Sequence, residues 1–147
     1  MNWGSWLLWG FVGTVVLTSI MAGSQALGTM FTSNRDRAKI IGILVHFVNG
    51  WLLSLIYVAA FHAWGIATWW LGASVGLVHA LFVLTVGMSF LPGMHPRMAN
   101  EQYGPTVVRQ LEPPGFLARH YGIRTPVSVL AAHIVFGMIL GGFYSFS

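Results

Sequence analysis

IIGILVHFVNGWLLSLIYVAAFH, residues 40–62, decides the fold. No Lys, Arg, Asp or Glu occurs anywhere in it. At about 1.5 Å per residue, a helix of this length covers the roughly 30 Å of hydrocarbon in a bilayer. A helix satisfies its own backbone polar groups, which is the condition for entering lipid. Two strongly polar side chains stand inside the run. His46 has Gly42 and Gly50 at i−4 and i+4, and Asn49 follows it at i+3.

Three more runs of this kind flank it, at residues 6–30, 67–90 and 127–146. The whole chain agrees: 147 residues, 56% hydrophobic and 7% charged, with mean hydropathy +0.72. A soluble domain carries about 25% charged residues and could not cover its surface with this composition. The expectation is an all-α fold, a four-helix transmembrane bundle forming one domain over 1–147. Ser24-Gln25-Ala26 looks like a signal-peptide cleavage site. No basic segment precedes the first run, however, and the run is longer than a signal peptide's apolar region, so it is expected to stay as a helix. The absence of cysteine excludes disulfides, thiolate metal sites and cysteine nucleophiles.

Charge sets the expected orientation. The seven basic residues are Arg35, Arg37 and Lys39 between spans one and two, and Arg97, Arg109, Arg119 and Arg124 between spans three and four. Four spans put both loops on one side, and by the positive-inside rule that side is cytoplasmic, with N and C termini outside. Trp3, Trp6, Trp9, Trp64, Trp69, Trp70 and Tyr144 map to the opposite end, as an interfacial belt would. Trp51 alone falls near mid-membrane.

All six prolines lie between Pro92 and Pro126, so residues 91–124 read as one long Pro-rich cytoplasmic loop. Short helical turns are expected from Pro105 and from Pro114 to Gly122. Arg97, Arg109, Phe116, Arg119 and Arg124 are the expected contacts with anionic lipid or a partner. At its start stands LPGMHPRM, residues 91–98, where Met94, His95 and Met98 form a copper-friendly set. The prolines and Gly93 account for the same stretch as a helix stop, and that is the reading preferred; no metal is expected.

His46, His79 and His133 each sit inside a different span. Ionisable groups at such depth are functional candidates. Counting residues puts them roughly 10, 18 and 13 Å from the basic side, at neighbouring levels. Gly72 and Gly76, and Gly137 and Gly141, form two GxxxG rows beside them, which suit close helix packing. Three roles follow for the histidines. They donate interhelical hydrogen bonds; or two of them ligate a haem b, or another metal-centred tetrapyrrole, as cofactor-binding residues; or they line a proton or solute path. No Asp or Glu lies in any span, which weakens the last. Ser74-Val75-x3-His79-x2-Phe82-x4-Gly87 matches Ser128-Val129-x3-His133-x2-Phe136-x4-Gly141, a pattern that an inverted repeat would leave.

Catalytic patterns are missing. There is no phosphate loop, no G-x-S-x-G and no H-E-x-x-H. His95, Glu101, Glu112 and His120 match no triad, and Glu112 is expected to pair with Arg109 at i−3. Four dispersed arginines make no nucleic-acid patch.

The stretches LGTMFTSNRDRAK at 27–39, LPGMHPRM at 91–98 and QLEPPGF at 110–116 resemble a family of small four-helix bacterial inner-membrane proteins. The resemblance implies a bacterial cytoplasmic membrane and carries over no catalytic or binding residue. The function expected is non-catalytic, as an accessory or structural subunit, with membrane lipids and either further copies or a larger membrane complex as partners. No cofactor is expected on that reading. A haem- or pigment-binding electron-transfer protein is the alternative, and a small transporter or channel the third.

Overall fold

The computed structural model describes residues 1–21, 25–100, 102–109 and 111–147. Ser24 of the cleavage-like tripeptide, Glu101 and Gln110 fall outside the described residues. Among those described, four helical stretches are long and apolar enough to cross a membrane. They are α1 (Trp3–Ile20), α3 (Arg35–Trp64), the continuous run Trp69–Met94, and α6 (Arg124–Phe143). A short turn, α2 (Gln25–Gly28), joins the first two.

Three of the four starts have a local cause. The Asn2 side chain accepts from the Ser5 N–H, and the Asn34 side chain from those of Asp36 and Arg37, so both starts are capped. The Thr68 hydroxyl accepts from Leu71 N–H at the third span. At the end of α3, Gly65 takes φ +69°, a left-handed stop that glycine adopts without a Cβ clash.

The first span is shorter than its apolar run. It stops at Ile20, and the chain turns back so that Gly28 lies on α3. A Cβ at Gly28 would stand 1.7 Å from the Ala38 carbonyl oxygen, so the segment is laid down by tertiary contact. Hydropathy has no access to that. The third span runs on to Met94, beyond Phe90, and consists of α4 (Trp69–Phe82), a π-helical turn (Val83–Gly87) and α5 (Met88–Met94). Pro92 sits inside α5 rather than stopping it before residue 91. It has no N–H to return to the preceding turn. Hydroxyls of Thr85 and Ser89 bond the carbonyls of Leu81 and Thr85, competing with the helix ladder in the same stretch.

α6 is the central helix. Of its apolar window 44% is buried, against 22%, 22% and 17% for the other three spans. It meets α4 backbone to backbone. A Cβ at Gly72 would lie 1.9 Å from the Gly137 oxygen, at Gly76 2.2 Å from that of His133, and at Gly141 2.1 Å from that of Thr68. Only glycine permits this approach, which replaces side-chain interdigitation by direct main-chain packing. Around it lies a core of Leu17, Tyr57, Val58, Phe61, Phe136 and Leu140.

All seven basic residues lie at one end of the bundle, where α3 begins, α5 ends and α6 begins. There the chain from His95 to Leu111 forms a cap. Ala99 N–H donates to the Leu111 oxygen and Leu111 N–H to that of Arg97, at 2.9 and 3.1 Å. The helical turn expected from Pro105 does not form. The later one does, as a 3₁₀ turn over Phe116–Tyr121 with Leu117 and Ala118 at φ +54° and +55°. Ala118 is thereby driven into a small cluster with Ala80, Leu84 and Val129. At the opposite end Tyr144 is buried, not an interfacial anchor. Its hydroxyl takes the Asn2 N–H at 3.1 Å and meets His62 Nε2 at 3.0 Å.

Candidate functional site

Two of the three histidines inside the spans meet. His79 of α4 and His133 of α6 stand edge to face, with ring centroids 4.8 Å apart and planes at 82°. The glycine contacts explain this. Gly76 rests on the main chain of His133 itself, so the next turn of α4 brings His79 against that ring.

Each imidazole has a partner. His46 Nδ1 is 3.1 Å from the Thr18 hydroxyl of α1. His79 Nδ1 is 3.0 Å from the Tyr57 hydroxyl of α3, a side chain with no exposure. His133 Nδ1–H donates to the Val129 carbonyl at 2.8 Å. The contacts therefore run α1–α3, α3–α4 and α4–α6, and link all four spans. Thr18 and Tyr57 carry half of this network. Their only sequence signal was a hydroxyl inside an apolar span, which is too common to single out.

His79 and His133 touch directly. The Gly72–Gly137 contact closes the gap beside them. Among the described residues, no three His, Asp or Glu side chains come together as a metal site.

LPGMHPRM ends α5 at Met94, as a helix stop, and does more than that. Met94 is 71% exposed and Met98 fully buried, so the two sulfurs do not face one site. His95 is buried between them and uses both ring nitrogens. Nε2–H donates to the Ala26 carbonyl at 2.9 Å, with the Thr29 hydroxyl at 3.2 Å, and Nδ1 accepts from Arg97 N–H at 3.1 Å. The Arg97 guanidinium donates to the Thr29 oxygen at 2.6 Å. His95 and Arg97 pin the cap to the turn after α1.

The remaining loop residues are dispersed. Arg109 lies over the Tyr103 ring at 4.5 Å rather than pairing with Glu112, which instead pairs with His120. Burial pushes the Tyr121 phenol above its ordinary range, and the Glu112 charge adds to the shift. Phe116 is 71% exposed, and Arg119 and Arg124 are exposed. An open groove of about 440 Å³ runs between Arg35, Thr29, Arg97 and Val108.

No protein-family model, curated protein or solved structure matches this chain.

Proposed function

We propose that this chain is a non-catalytic integral membrane protein, an accessory or structural subunit of an assembly in the bacterial cytoplasmic membrane. The observation that carries this is the histidine network. One ring nitrogen of each histidine is bonded, to Thr18, Tyr57 or the Val129 carbonyl, and the rings of His79 and His133 pack edge to face, so the contacts reach all four spans. Buried polar groups used in this way hold helices in one arrangement, which is what a subunit needs in order to present fixed outer faces. Those faces are extensive, because three of the four spans are less than a quarter buried. The basic end, with Arg35 and Arg97 beside an open groove, suits anionic lipid headgroups.

The test is native mass spectrometry of the protein purified in mild detergent, with thermal unfolding of His79→Ala and His133→Ala alongside. The expected result is a protein assembly with no added cofactor mass, and lower unfolding midpoints in both variants. A bound cofactor lost on either substitution would overturn the proposal. So would solute flux in liposomes that the same substitutions abolish.

A further inference from the structure

α3 carries an amide with no partner. Asn49 lies at the middle of the helix Arg35–Trp64, and its side chain is exposed with no hydrogen bond to any described residue. At that depth the surroundings are acyl chains, which neither donate nor accept. An amide transferred to a purely apolar medium without a partner is strongly disfavoured. Lipid alone is therefore a poor neighbour for it.

The residues around Asn49 form a seam. Asn49, Leu52, Ile56, Ala59 and Ala63 follow one another at spacings of three and four, the repeat of a left-handed helix pair. All five are exposed, Leu52 at 53% and Ile56 at 54%. They lie opposite Ser54, Tyr57, Val58 and Phe61, which are buried against the rest of the bundle. The two alanines permit close approach at one end, and Leu52 and Ile56 supply packing beside the amide.

We infer that this seam binds a second copy of the chain, α3 against α3, with the two Asn49 amides hydrogen-bonded to each other. The inference rests on the membrane-subunit reading and names its partner. The occupant follows from complementarity of partial charge. An amide offers Nδ2–H donors and an Oδ1 acceptor, so it is its own complement. Copies of one chain enter the bilayer in the same orientation and at the same depth. A two-fold axis along the membrane normal then brings Asn49 opposite Asn49 in a parallel pair. Single asparagines at such positions fix register and partner number in helix pairs.

The experiment uses the full chain in lipid bicelles. The absence of native cysteine makes single-cysteine cross-linking clean. Ile56→Cys, on the seam, should cross-link into a dimer under mild oxidation, and Leu44→Cys, off it, should not. Asn49→Leu should raise the dimer dissociation constant about tenfold, and Asn49→Gln should restore most of the loss. Unfolding of the dilute monomer should be the same for wild type and Asn49→Leu, because the side chain makes no bond within the chain. A monomeric wild type, cross-linking at Leu44→Cys instead, or a dimer indifferent to Asn49→Leu would overturn the inference. A stable complex with a different polypeptide would leave the accessory-subunit reading standing, whereas a bare monomer would count against both. A cofactor or flux would remove that reading and leave the dimer to be judged on its own.

Discussion

Gly72 and Gly137 touch through main-chain atoms, and nothing larger than hydrogen fits between them. Gly72→Ala is expected to force α4 and α6 apart and to cost about 1–3 kcal/mol. Gly93→Ala, with open space around it, should cost little; unfolding midpoints in one detergent compare the two. At Tyr57 the expectation is smaller. Tyr57→Phe removes one interhelical hydrogen bond and leaves the ring packing, so the loss should be about 0.6 kcal/mol and below about 1.7. A much larger loss would mean that His79 is held by Tyr57 alone. The candidate residues were legible to different degrees. His46, His79 and His133 stood out because imidazoles are rare and costly in an apolar run. The meeting of His79 with His133 did not, because helix rotation is set by which glycines touch, and two GxxxG rows allow several pairings. The use of His95 was also hidden. Its partners Ala26 and Thr29 are 69 and 66 residues away and carry no motif.

At the scale of elements, the spans were legible because crossing a bilayer demands length and apolarity, and both can be counted. Their ends were not. Ile20 is followed by small and apolar residues that hydropathy cannot distinguish from helix, and the Gly28–Ala38 contact decides the matter. The 3₁₀ turn at the basic end offers a test of strain. Ala118 has a left-handed backbone, costing about 1–2 kcal/mol for any L-residue, whereas Ala132 sits in regular helix. Both methyls are fully buried, so the packing lost on truncation is similar. Ala118→Gly should therefore be at least about 1 kcal/mol milder than Ala132→Gly. Equal losses would show that the turn is unstrained. The cap should depend on its pin in the same way. His95→Ala is expected to speed hydrogen exchange of the Ala99 and Leu111 amides by an order of magnitude or more, and His120→Ala, on an exposed ring, to leave them unchanged.

For the whole molecule, the asymmetry of charge makes a prediction about topology. With every basic residue at one end, that end should face the cytoplasm. In intact bacterial cells an impermeant maleimide should label Ser147→Cys at once, and Gly104→Cys only after permeabilisation. The reverse pattern would invert the protein. The end away from the basic residues has a consequence of its own. Asn2 donates from its side chain to the Ser147 oxygen, and Ser145 N–H donates to the Ser5 hydroxyl at 2.9 Å. Residues 2 and 147 thus stand side by side, beside the same Tyr144 hydroxyl that meets His62 Nε2. The described chain is nearly a closed ring. A linker of a few residues could join these two points, and new ends could be cut at Gly104, where nothing crowds the backbone. In such a circular permutant the order of the spans would change while every contact between them was kept.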